Sequence, residues 1–209
     1  MTNTRPYIIH ITGPPAVGKG TQSDLILKNY PSFTHISVGD ILRLEAKDTE
    51  SPFADEVSEL LAGGHIVPSS LAMPILRRWV EKKGELGFKC IIIDGFPRAM
   101  DQALMHEQEL GLPSILIHLD APKDVVLART LNRAKEAIEQ GETPRSDDNE
   151  AKFEHRFSSY LKTTFPVIEH YKSNHSGIFE YIDGSLPVEQ VFDSVVKVLK
   201  KHSDTESCL

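Results

Sequence analysis

The chain has little cysteine, no long apolar run and a shortage of positive charge, and each of these excludes something. Two cysteines in 209 residues, Cys90 and Cys208, cannot frame a disulfide-stapled fold. Cys90 lies inside the apolar run FKCIIID and reads as a small buried hydrophobe, while Cys208 lies in a polar tail; such usage fits a reducing compartment. No stretch approaches the ~20 apolar residues that span a bilayer. The opening MTNTRPYIIHITG also lacks the apolar core of a signal peptide. The expectation is a cytoplasmic protein, with the nucleus also open, and no membrane partner. A formal net charge of −7 argues against nucleic acid as a partner, because that requires a basic surface. Any polyanionic ligand must then meet a local concentration of positive charge. Internal repeats, low-complexity linkers, HExxH zinc spacing and the NKxD motif of a guanine-reading switch are missing too.

What is present reads as one globular domain of α/β class. Five short apolar runs, Tyr7–Thr12, Phe33–Ser37, Lys89–Asp94, Ser114–Asp120 and Gly177–Asp183, alternate with longer amphipathic segments. Several are apolar on both faces, as strands of a helix-covered parallel sheet are. One helix opens at Ser51-Pro52 and closes at Gly63-Gly64, and another runs from Ser69-Ser70 to Gly84. The longest spans about Asp148 to Tyr171, and a last one about Pro187 to Lys201. Strands alternating with helices predict a doubly wound parallel sheet. Two regions look less like sheet-covering helix: Asp40–Leu86, and the polar EQGETPRSDDNE from Glu139 to Glu150, which suits a mobile flap. The ending HSDTESCL reads as a frayed tail.

The stretch ITGPPAVGKGTQ, Ile11–Gln22, is poor core material and must be shaped for something outside the chain. Gly13, four residues, Gly18 and Lys19 have the spacing of a phosphate-binding loop, in the required place after a strand and before a helix. Glycines let successive N–H groups converge on a phosphate, the following helix adds its N-terminal N–H groups, and Lys19 adds a full charge. Gly20 follows the lysine, and the hydroxyl arrives at Thr21.

Six arginines could clamp further phosphate. Arg43 in SVGDILR and Arg98 in DGFPR each follow a strand end, where ligands of open parallel sheets bind; a plain surface arginine in a turn is the alternative for Arg98. Arg129 and Arg133 are four apart on one helix, where like charges cost roughly 0.2–0.5 kcal/mol. Either an anion sits between them or Glu136 neutralises a solvated face. Arg145 and Arg156 flank Asp147-Asp148, a pair able to hold guanidinium groups in orientation. Asp94 ends a strand as either a magnesium anchor acting through water or the cap of a turn. His35 and His118 lie in strands and read as structural, and Trp79 as a packing residue.

GPPAVGKGTQ, ISVGDILR, GGHIVP, DGFPRAMDQA, GETPRSDDNEAKFEHR and PVIEHY, in this order, resemble the signature blocks of the adenylate kinase and UMP/CMP kinase family. The resemblance implies a P-loop three-layer fold with five parallel strands, a monophosphate-binding flap near 38–67, a short lid near 133–148 and a tail at 202–209. It implies a monomeric kinase that moves the γ-phosphoryl group of ATP, with Mg2+, to a nucleoside monophosphate. The loop Ala16, Val17, Gly18, Lys19, Gly20 and Thr21 would hold ATP phosphates, with Gly13 opening it. Arg129 would stack on adenine, and Gly184, Ser185 and Leu186 would meet that base through backbone. Arg43, Gly95 and Arg98 would grip the acceptor phosphate, with Val38, His65, Ile66, Val67 and Gln102 around its base. Arg133, Arg145 and Arg156 would close over the transferring group. This chain departs from the family at three points. Ala16 stands where a glycine is usual, TPRSDD replaces a Ser-Gly-Arg run, and AKEAIEQ after Arg133 resembles an insertion. At position 38 adenylate kinases usually carry threonine and pyrimidine-specific members alanine; Val38 cannot hydrogen-bond a base, and the reading leans to UMP and CMP, with AMP as the alternative.

Overall fold

Isoleucine-rich runs without polar alternation become the strands, since β-branched side chains fit a pleated, doubly covered surface. The computed structural model describes residues 6–144 and 147–202. Strands β1 (Tyr7–Thr12), β2 (Phe33–Ser37), β3 (Cys90–Asp94), β4 (Ile115–Asp120) and β5 (Phe179–Asp183) form one all-parallel sheet in the order β2-β3-β1-β4-β5. At its centre Ile9 pairs with Ile92 on one side and Ile115 on the other. The predicted α/β class and five-stranded parallel sheet are what the chain forms.

The period of two along β1 sorts the two helical layers. Ile9 and Ile11, with Ile92, Ile117 and Ile182, pack against Ile26 of α1 (Lys19–Asn29), Val126 of α6 (Lys123–Glu139), Phe153 of α7 (Glu150–Ser159) and Val195 of α9 (Val188–Lys201). Ile8, Ile91 and Ile93 point the other way, into residues of α2 (Val38–Glu45), α3 (Ala54–Ala62) and α4 (Ser69–Glu85). On the same side as α4, α5 (Met100–Leu110) and α8 (Phe165–Asn174) cover Leu116 with Ala103, Val167 and Tyr171. Trp79 packs on the α4 cluster.

Several expectations are corrected. The segment from Asp40 to Leu86 is mostly helical, and α4 does cover the sheet. α3 begins at Ala54 because the Ser51 hydroxyl accepts from Phe53 N at 3.1 Å inside the preceding turn. The single long helix from 148 to 171 starts at Glu150, where Asn149 Oδ1 accepts from Lys152 N at 3.0 Å. It is then interrupted by a π turn, Tyr160–Thr164, before α8 carries on to Asn174. Cys90 is wholly buried in the core, as its apolar run leads one to expect, while Cys208 lies outside the described residues. Among the described residues no helix is long and apolar enough to cross a membrane.

Ile92 is fully buried at the centre of the sheet. Ile92→Ala should lower unfolding free energy by about 2–5 kcal/mol, measured as a fall in the urea midpoint with an unchanged slope.

Candidate active site

The loop after β1 is folded around a lack of side chains. Gly13 has φ +146, and a Cβ there would fall 2.1 Å from Leu119 O, so no other residue fits. Gly18, with φ +110, is the N-cap of α1 and offers no side-chain cap, leaving the first N–H groups of the helix open toward the loop. Ala16, at φ +58, is the one non-glycine residue in the left-handed region among those described, a conformation that costs about 1–2 kcal/mol. Lys19 Nζ lies back on this loop, donating to Gly13 O at 3.0 Å and Pro14 O at 2.8 Å. Val17 is buried beneath the loop, Gly20 keeps the strand end of Asp94 at 4.0 Å from where a Cβ would be, and Thr21 is exposed.

The loop forms one wall of a cavity of about 560 Å3 that also takes in Val38, Arg43, Arg98, Asp147 and Arg156. Its cations feel one another. Burial lowers the Lys19 pKa to about 8, and Arg98, Arg156 and Arg133 push it the same way while Asp94 opposes them. Burial would raise the Asp94 carboxyl, but His35, Lys19 and Arg98 together hold it below the usual carboxylate range. His35 Nε2 stands 3.5 Å from Asp94 Oδ2.

Arg98 is held through its main chain. Its N–H donates to Gln102 Oε1 at 2.7 Å, and its carbonyl accepts from Thr164 Oγ1 at 3.0 Å. Among the described residues the guanidinium gives only its Nε hydrogen bond, to Gly95 O at 2.7 Å. Gly95, at φ +74, has no side chain to block it; a Cβ would meet Arg98 Nη2 at 2.9 Å. Gln102 is buried and its other amide end donates to Val67 O at 2.8 Å, so it offers a ligand only its second N–H and second lone pair. His65 and Ile66 line the same wall. Arg43 pairs with Asp40 at 2.5 Å, with both side chains more than half exposed, and such pairs contribute about 0–1 kcal/mol. That leaves the arginine free to exchange partners.

Among the described residues Arg129 and Arg133 turn to different partners, neither of them Glu136. Arg129 Nη1 donates to Gly184 O at 2.6 Å and Val17 O at 3.3 Å, and Nη2 to Ser185 O and Leu186 O at 3.2 and 3.4 Å. It ties the turn after β5 to the phosphate loop. Gly184 is buried there because a Cβ would meet Val17 Cγ2 at 2.7 Å. Arg133 is gripped by the buried Asp148, with Nε donating to Oδ2 at 2.8 Å and Nη2 to Oδ1; that carboxylate raises the arginine's pKa. Asp147 pairs with Arg156. Arg145 lies outside the described residues.

Other cavity residues were not foreseen. Ser159, Tyr160 and Thr164 reach it from the π turn and its flank, and Tyr160 Oη is 3.0 Å from His118 Nε2. Burial lowers the pKa of His118 to about 4, so the histidine is neutral and structural. No residue pattern marks a π turn in advance; π turns are nonetheless common at functional sites.

Comparison with known proteins agrees with this geometry. Residues 11–176 match the model of the adenylate kinase family. The chain is 33% identical over 193 residues to uridylate kinase of Saccharomyces cerevisiae, covering 92% of this chain and 90% of that one. It is 35% identical over 203 residues to UMP-CMP kinase of Danio rerio, covering 94% and 98%. To adenylate kinase isoenzyme 1 of Cyprinus carpio it is 34% identical over 193 residues, covering 92% and 93%. A phosphate loop closing a cation-lined cavity, and likeness running nearly end to end, lead to one conclusion: the chain belongs to the adenylate kinase family and is a phosphotransferase.

Proposed function

We propose that this protein transfers the γ-phosphoryl group of ATP to a nucleoside monophosphate, with UMP and CMP favoured. The convergence of Lys19, Arg43, Arg98 and Arg156 on one cavity beside the phosphate loop carries this reading. A loop that only bound or hydrolysed ATP needs no second set of cations. Two polyanions brought end to end repel each other, and cancelling that repulsion while aligning them is most of what phosphoryl transfer requires. The attacking atom is already an ionised phosphate oxygen, so no side chain need act as a base.

In this reading the loop N–H groups and Lys19 hold the donor phosphates, while Arg129 braces the loop and the turn at Gly184–Leu186 beneath the donor base. Arg98 and Arg43 hold the acceptor phosphate, and Arg133 and Arg156 steady the group in transit, kept in aim by Asp148 and Asp147; Arg145 is assigned with them by resemblance. Magnesium accompanying ATP fits the residues present. Asp94 is kept ionised at a strand end facing the side-chain-free Gly20, and it would hold the ion through water. When bound, the ion neutralises phosphate charge.

For the acceptor, the buried Val38 gives an apolar wall with no hydrogen bond to offer, and relatives named uridylate kinase and UMP-CMP kinase are among the similar proteins. AMP is the second reading, supported by Gln102 and by the relative named adenylate kinase isoenzyme 1. The net charge of −7 supports small anions rather than nucleic acid as partners.

Coupled assays at saturating ATP and magnesium should give kcat/KM for UMP and CMP above that for AMP; AMP far ahead reverses the preference, and ATP turnover indifferent to every monophosphate removes the reading. Arg98→Ala keeps both main-chain bonds of residue 98, so it should fold normally and lose about 100- to 1000-fold in kcat/KM, with circular dichroism as the control. Lys19 has a lowered pKa of about 8, and bound phosphates favour its charged form. ATP binding at pH 8 to 9 should therefore take up protons, seen by calorimetry in buffers of different ionisation enthalpy. The uptake should fade below about pH 7, where Lys19 is already charged, and vanish in Lys19→Arg.

A further inference from the structure

Helices α5 and α8 lead away from the cleft, and beyond it they bring three metal-binding side chains together. Glu107 of α5, His170 of α8 and His175, the residue that ends α8, each place a ligand atom within 4.8 Å of the other two. Glu107 Oε1 and His170 Nε2 stand 3.6 Å apart. Among the described residues neither atom has a hydrogen-bond partner, although both are shut off from solvent, and buried polar atoms are seldom left so. We propose that Glu107, His170 and His175 form a binding site for a divalent transition metal, Zn2+ above all.

The spacing suits the ion better than it suits a direct bond. At 3.6 Å the oxygen and nitrogen are too far apart for a good hydrogen bond. Two atoms each bound to Zn2+ at the usual 2.0–2.1 Å, at a tetrahedral angle, stand roughly 3.3 Å apart. Two imidazoles and one carboxylate match the donor preference of zinc, with water in the fourth position.

The neighbours are arranged as supports for ligands. Asn174 Nδ2 lies 3.1 Å from His170 Nδ1. With that amide turned end for end, its oxygen accepts from Nδ1–H, and this is the bond that frees Nε2 to ligate. Burial, and then the Glu107 carboxylate beside it, raise the pKa of Tyr171. Imidazole rings of His170 and His175 meet edge to face at 5.4 Å between centroids.

The site is distinct from the magnesium of ATP. Glu107 lies five residues beyond Gln102, about 7–8 Å along α5, and His170 lies about 9 Å along the helix beyond Thr164. Gln102 and Thr164 hold the main chain of Arg98. A metal between α5 and α8 therefore pins together the two helices whose near ends position that arginine.

The test uses the full chain, treated with chelator and free of nucleotide, titrated with Zn2+ alone in competition with a chromophoric chelator, and separately with Co2+ to record its visible spectrum. One equivalent should bind with Kd at or below about 10 µM and Co2+ should show tetrahedral absorption bands. Glu107→Gln and His175→Ala should each weaken binding about 10- to 100-fold. Zinc should raise the thermal midpoint of the parent chain and not that of the variants. His175 sits at a half-exposed helix end, so its variant tests the site without disturbing the core. Binding weaker than about 10 µM, or equally tight in His175→Ala, overturns the proposal.

Discussion

Mutual repulsion among cations is the constraint on which the rest of this structure depends. Burial lowers the Lys19 pKa to about 8, and Arg98, Arg156 and Arg133 push it the same way, in a protein whose net charge is −7. Such a cluster persists only where the fold enforces it. The enforcement comes from the sheet and the helices packed on it: Lys19 and Arg98 follow the ends of β1 and β3, while Arg133 and Arg156 are carried by α6 and α7. The missing side chains at Gly13, Gly95 and Gly184 bring backbone and guanidinium groups closer than any other residue allows.

Aspartates answer this repulsion in two ways. Asp94 spreads a counter-charge beneath the lysine, while Asp147 and Asp148 each take one arginine by the hand and aim it. The distinction matters for the burial of Asp148. A buried carboxylate that lost Arg133 would be left uncompensated, which is strongly destabilising, so the arginine is tied to the fold as firmly as to the chemistry. Arg43, by contrast, has only an exposed partner and keeps its freedom.

Legibility in the sequence followed the range of the interactions. Strands written in unbroken isoleucine were read almost to the residue, since their pattern is local and both faces are apolar. Gly13, Gly18 and Lys19 could be read because a phosphate loop is contiguous and each position has its own physical reason. The partners of the arginines were harder. Arg129 and Arg133 share a helical face, yet one turns to carbonyls more than 50 positions away in the chain and the other to Asp148, choices set by tertiary packing. Gln102 was read as facing a ligand, while most of its amide is engaged by Arg98 N and Val67 O. The π turn escaped because a helix with one residue too many keeps the composition of any other helix.

That surplus residue has a geometric effect on the whole rod formed by α7 and α8. Each residue of an α-helix turns the chain by about 100°, so deleting any one position between Tyr160 and Thr164 would leave a smoother helix and a misaligned one. With α8 anchored on the sheet, Arg156 would swing about a quarter turn or more away from the arginine that Thr164 fastens. The irregularity works as a phase setting between the two ends of one lever, and regularising it would improve the helix while dismantling the cleft.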